Sequence, residues 1–82
     1  MTASAPEHMG VVQLANAERR YGMILDDDQK TTVFFSFDAV EVGYPAPGEA
    51  VQFVPDATRA GMIARRVVVL SAVARGKWDR AV

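Results

Sequence analysis

The stretch Tyr21–Phe37, YGMILDDDQKTTVFFSF, decides how this chain is organised. Its last seven residues, Thr31–Phe37 (TTVFFSF), are dense in β-branched and aromatic side chains, the composition of a strand. Tyr21–Leu25 (YGMIL) is a second strand with Gly22 inside it, and a glycine there marks a bend or a close backbone approach. The polar run Asp26–Lys30 between them reads as the turn of a hairpin, with Asp26–Asp28 solvating it. Strand alternation then separates two faces. Ile24, Val33 and Phe35 fall on the inner one. Tyr21, Met23, Phe34 and Ser36 fall on the outer one.

Working outward, Gly10–Ala15 (GVVQLA) is an earlier strand and Asn16–Arg20 its turn. Asp38–Gly43 (DAVEVG) suits one helical turn with Asp38 as N-cap. Tyr44–Gly48 (YPAPG) is a loop, because two prolines in three residues remove ladder donors. Glu49–Val54 is a fourth strand closed by Pro55, Asp56–Gly61 a turn, and Met62–Leu70 a fifth, apolar strand. Residues 1–8 read as a loose tail, and Ser71–Val82 as a short helix or a second tail. Five short strands with almost no helical periodicity predict a small barrel or sandwich. At this size a closed barrel best disposes of its edges.

Composition narrows the function. The 82 residues suffice for one domain, and half of them are apolar, enough for a core. There is no cysteine, which excludes disulfides, thiolate metal sites and cysteine nucleophiles. Its absence from so small a domain leans towards a reducing, cytoplasmic setting. The opening residues carry neither the charge nor the apolar run of a signal peptide, and no stretch approaches a membrane span. Nine Lys and Arg against ten Asp and Glu give a net charge of −1, so attraction to a polyanion must come from a local patch. The single histidine, His8, falls in the expected tail, which leaves no catalytic triad and no metal spacing to assemble. The isolated glycines at 43, 48 and 61 form no phosphate loop. The chain is read as a non-enzyme without a cofactor.

Two pieces of the central hairpin carry a resemblance. Arg20-Tyr21-Gly22-Met23-Ile24 resembles the Gly-Phe/Tyr-Gly-Phe-Ile segment of cold-shock domains, and Val33-Phe34-Phe35-Ser36-Phe37 resembles that family's Val-Phe-Val-His-Phe. Gly10-Val11-Val12-Gln13, Asn16, Ala39-Val40, Gly43-Tyr44 and Gly48–Phe53 follow the family in order and spacing, so the likeness spans residues 9–70. It implies an all-β fold, a five-stranded antiparallel Greek-key OB barrel over residues 9–71, flanked by tails at 1–8 and 72–82. It also implies binding of single-stranded RNA or DNA, with unpaired bases stacked on aromatic side chains and cations on the phosphates. The duties implied are those of an RNA chaperone or a regulator of transcription or translation.

Residue by residue, the resemblance assigns the platform to Tyr21, Phe34 and Phe37, with Tyr44 in the following loop. Met23 and Ser36 stand on the same face, where the family has Phe and His. Arg19 and Arg20 supply positive charge beside Tyr21. Other positions depart from the family: Leu14-Ala15 replaces Trp-Phe, and Val11 and Gln13 replace lysines. Binding is therefore expected to be weak and of low sequence specificity. The competing expectation is a protein-interaction module or homodimer that uses the same face as an apolar patch. Trp78 has three readings: a cover for an apolar groove, an anchor for a partner, or an extra stacking ring.

Overall fold

The computed structural model describes residues 7–28 and 30–73. Eight strand segments run in chain order: β1 (His8–Asn16), β2 (Tyr21–Asp26), β3 (Thr32–Ser36), β4 (Val40–Val42), β5 (Ala50–Phe53), β6 (Pro55–Thr58), β7 (Gly61–Ala64) and β8 (Val67–Val69). A 3₁₀ turn, Phe37–Ala39, separates β3 from β4, and a three-residue helix, α1 (Leu70–Ala72), follows β8. All eight strands share one sheet, in the order β4-β8-β5-β1-β2-β3-β7-β6, curled into a half-barrel. Among the described residues no helix is long and apolar enough to cross a membrane.

The expected β-rich architecture is present, but eight segments replace the five expected strands. One predicted strand is divided, and β4 and β6 form where a helical turn and a turn were expected. The predicted fifth strand is cut at Arg65–Arg66, where Arg66 takes a left-handed backbone with φ 51° that ends regular pairing. The fourth ends at Phe53, and pairing resumes from Pro55, which has no N–H to give to a ladder. Residues 55–58, expected in part as a turn, pair with β7 as a hairpin whose tip is Arg59–Ala60. The sheet is also not purely antiparallel. β3 runs parallel to β7 through Phe34 and Ile63, and β4 runs parallel to β8.

Other local readings change as well. β1 begins at His8, so the presumed tail ends earlier than expected. The helical turn starts one residue before Asp38, and Ser36 is its N-cap, its Oγ accepting from the Asp38 N–H at 3.1 Å. A serine in extended backbone can turn its hydroxyl onto the N–H two residues on, which frees the Asp38 carboxylate for other partners. At the other end of the chain, Trp78 and the rest of 74–82 lie outside the described residues.

Strand alternation places the core as expected. Ile24, Val33 and Phe35 are fully buried with Val12, Val51, Phe53, Val67 and Val69. Gly22 is required by this packing. A Cβ there would stand 2.5 Å from the Leu14 carbonyl oxygen and 2.6 Å from the Phe35 ring, closer than any real side chain comes. Missing bulk at Gly22 is what lets β1 and the Phe35 ring close over the hairpin.

Candidate nucleic-acid interface

The outer face of β2 and β3 is built by register. Tyr21 pairs with Ser36, Met23 with Phe34 and Leu25 with Thr32, so these six side chains line one side of the ladder. None of them carries a charge. On the neighbouring strand Leu14 stands opposite Met23, after a bulge between Val12 and Leu14 that interrupts the inward-outward rhythm of β1. Met23 is thus flanked by Leu14 and Phe34 and is half-buried, whereas Phe34 keeps 40% of its surface in contact with solvent.

Tyr21 and Phe34 sit diagonally across the ladder with ring centroids 5.6 Å apart and planes inclined by 35°. That separation is a favourable aromatic contact, and it holds two rings side by side as one surface. Phe37 is placed differently from the expectation. It is half-buried against the core, its ring parallel to the buried Phe35 ring within 4° at 5.9 Å. Period-two alternation from Phe35 already turns Phe37 towards the inner face, and the 3₁₀ turn that begins at Phe37 leaves it stacked there rather than on the outer platform that the resemblance implied. Tyr44, 57% exposed, meets Phe37 edge-on at 5.9 Å. Arg20 lies over the Phe37 ring at 5.8 Å.

Charge gathers at this end of the sheet. Arg20 ends the β1–β2 turn in a left-handed conformation, φ 60°, and its Nη2 donates to Asp38 Oδ1 at 2.9 Å. Arg19 is exposed, and its backbone N–H donates to Asn16 Oδ1 at 3.0 Å, so Asn16 shapes the turn from its side chain. Both arginines therefore flank Tyr21, with Arg20 already partnered. Where β3 meets β7, a cleft of about 320 Å³ opens beside Phe34, lined by Ser36, Asp38, Ala39, Ile63, Ala64 and Arg65. The Arg65 side chain donates through Nε and Nη2 to Asp56 Oδ2, at 2.9 and 2.7 Å.

Asp38, Ile63 and Arg65 were missed as site residues by sequence reasoning. Asp38 had been given a capping role. The parallel partner of β3 cannot be inferred from local pattern, because it comes from a segment about thirty residues away. Arg65–Arg66 stands out in the sequence only as a local cluster of positive charge, with nothing to place it beside Phe34.

A second polar cluster overturns two further expectations. Asp26 is buried at 1% exposure rather than solvating its turn, and His8 is ordered rather than part of a tail. His8 Nδ1 lies 2.7 Å from Asp26 Oδ2, and the Asp28 N–H donates to Asp26 Oδ1 at 2.9 Å. The His8 ring also packs on Phe53 at 5.9 Å. His8, Asp26 and Asp28 bring one potential metal-ligand atom each to within 4.8 Å of one another, a grouping that the sequence spacing concealed. Both Asp26 oxygens already accept hydrogen bonds within the fold, so the cluster reads as a pin joining the start of β1 to the end of β2.

No protein-family model matches the chain, and no curated protein matches it.

Proposed function

We propose that this protein binds single-stranded RNA or DNA through the outer face of β2 and β3, as a divergent relative of the cold-shock domains. The observation that carries the proposal is the Tyr21–Phe34 pair: two adjoining rings, turned away from the core, with Phe34 substantially exposed. An unpaired base presents a flat π-face to such a surface whatever its identity. Exposed Tyr44 and Arg20, both packed on the half-buried Phe37 ring, extend the surface past the end of the strands. In this reading β5 continues into β6 past Val54 and β7 into β8 past the Arg65–Arg66 bend, so that five OB strands remain once the three-residue β4, which pairs only with β8, is counted as part of the connection between β3 and β5. The parallel β3–β7 contact and the β8–β5 pairing then bring the two ends of that fifth strand to opposite margins of the sheet. A role in RNA chaperoning or in regulating transcription or translation, and a cytoplasmic location, belong to the same proposal.

Affinity on this surface should be low. The six outer residues of β2 and β3 are uncharged, Arg19 and Arg20 stand at one end, and Arg65 in the adjoining cleft is paired with Asp56. Two phosphate contacts on a single strand correspond to a slope of about −1.4 in log affinity against log salt. A titration with labelled oligothymidine at low salt tests the proposal. Saturable binding that Phe34→Ala weakens by at least about fivefold supports it, as expected for one lost stacking partner. An absence of saturable binding, or indifference to Phe34→Ala, rejects it.

A second reading has its own observation. Met9, Val11 and Leu14 on β1 are also exposed, at 37–45%, and continue the apolar area next to Met23 and Phe34. Such a surface suits a protein partner or a second copy of the chain. Binding of that kind is insensitive to salt, where nucleic-acid binding declines as salt rises.

A further inference from the structure

We propose that the cleft beside Phe34 is a guanine-reading subsite and that Asp38 is the residue that sets this preference. The inference rests on the single-strand-binding reading of the adjoining face and adds a base specificity to it. Its basis is the combination of apolar walls and polar groups that the parallel β3–β7 contact brings together. Phe34, Ala39, Ile63 and Ala64 supply the walls. Ser36, Asp38 and Arg65 supply the polar groups.

The polar groups are not equivalent. The Ser36 hydroxyl oxygen accepts from the Asp38 backbone N–H and keeps its own O–H to donate. Arg65 is tied to Asp56 through two of its nitrogens and retains Nη1. The Asp38 carboxylate is 82% exposed, and among the described residues Arg20 meets it through a single lone pair of Oδ1. A carboxylate has about four acceptor positions, so Asp38 offers both oxygens to a ligand in the cleft. Arg20 holds that carboxylate in place and offsets its charge, which matters where a phosphate chain must pass.

A carboxylate selects among the bases by the edge each one presents. Guanine places two donors side by side, N1–H and the N2 amino group, and can meet the two oxygens together. Adenine and cytosine pair one amino donor with a ring-nitrogen acceptor, which the carboxylate repels. Uracil and thymine place a single N–H between two carbonyls, and both carbonyls are repelled. Guanine also carries O6 and N7 acceptors on the side away from its amino group, suited to the remaining Arg65 donors. A base whose ring continues the Tyr21–Phe34 surface and drops its edge between β3 and β7 would meet these groups.

The experiment measures affinity of the full chain for three deoxyoligonucleotides of equal length at one salt concentration. They are hexathymidine and the same oligomer carrying one guanine or one inosine at a central position. Wild-type protein is expected to prefer the guanine oligomer by about tenfold over hexathymidine, within the roughly 5- to 150-fold range of a two-point base contact. Inosine, which lacks the amino group, is expected to fall between them. Asp38→Asn is expected to bring the guanine-to-thymine ratio close to one. Equal wild-type affinity for guanine and thymine oligomers overturns the inference while leaving the stacking surface standing. Retention of the full guanine preference by Asp38→Asn overturns the assignment to Asp38. If none of the oligomers binds, the single-strand reading itself falls and takes the subsite with it.

Discussion

The two faces of the β2–β3 hairpin differ in what their side chains touch. On the inner face Ile24, Val33 and Phe35 are fully enclosed. On the outer face Tyr21 and Met23 are half-buried and Phe34 is exposed, with the Tyr21 and Phe34 rings in contact. The strands alternate the two sets residue by residue, so adjacent positions such as Phe34 and Phe35 have opposite duties. One ring holds the sheet together, and its neighbour along the chain is available to a ligand. A substitution on the inner face should therefore register as lost stability, and one on the outer face as lost binding.

The sharpest break of that contrast is Phe35→Ala. Emptying a fully buried ring costs about 3–5 kcal/mol, a large part of the stability of any small domain. A strongly lowered urea midpoint, with partial unfolding in water, is expected. Near-wild-type stability would mean that the inner face is not the core. Gly22→Ala comes next, because its Cβ meets the Leu14 backbone rather than a yielding side chain. Overpacking of this kind costs about 1–3 kcal/mol, measurable as a shift in thermal midpoint without any change in net charge. His8→Ala removes one partner of the buried Asp26 carboxylate and should cost up to about 1–3 kcal/mol, measured by denaturant titration. It leaves the aromatic face alone, so oligonucleotide affinity of the folded protein should hold. The smallest change in stability belongs to Phe34→Ala, about 1 kcal/mol or less for a ring already 40% exposed. Its effect on oligothymidine binding should be the greater one. The contrast between faces fails if Phe34→Ala unfolds the chain as Phe35→Ala does.

The sequence disclosed what depends on period two. Within TTVFFSF, Thr32–Ser36 divides into enclosed and open residues because each side chain follows its neighbour to the opposite face, and the structure keeps that division for Val33, Phe34 and Phe35. Reading failed where a resemblance overrode that period or a backbone conformation outside strand geometry intervened. Phe37 was assigned to the platform by the resemblance alone, although alternation from Phe35 turns it inward and the 3₁₀ turn capped by Ser36 leaves it stacked on that ring. Met62–Leu70 looked continuous because its residues are apolar, and apolarity does not reveal the left-handed Arg66 that bends it. Asp26 and His8 were misplaced for a different reason. A charged triplet in a turn and a histidine near a chain end are each commonly solvated, and their pairing exists only once β1 lies beside β2. The cleft depended on the same kind of long-range information, since Ile63 reaches Phe34 across a parallel contact that leaves no local trace.

That parallel contact has a kinetic meaning of its own. Its ladder register is a single residue pair, Phe34 with Ile63, so few backbone hydrogen bonds hold the seam between β3 and β7 next to the aromatic face. Thin joints of this kind open by local fluctuation well below the cost of global unfolding. Because Phe34 carries both the joint and the exposed ring, whatever rests on that ring also holds the joint shut. Amide exchange at Ile63 and Ala64 should slow as an oligonucleotide is added. By reciprocity, any change that loosens the joint should weaken the ligand by the same free energy.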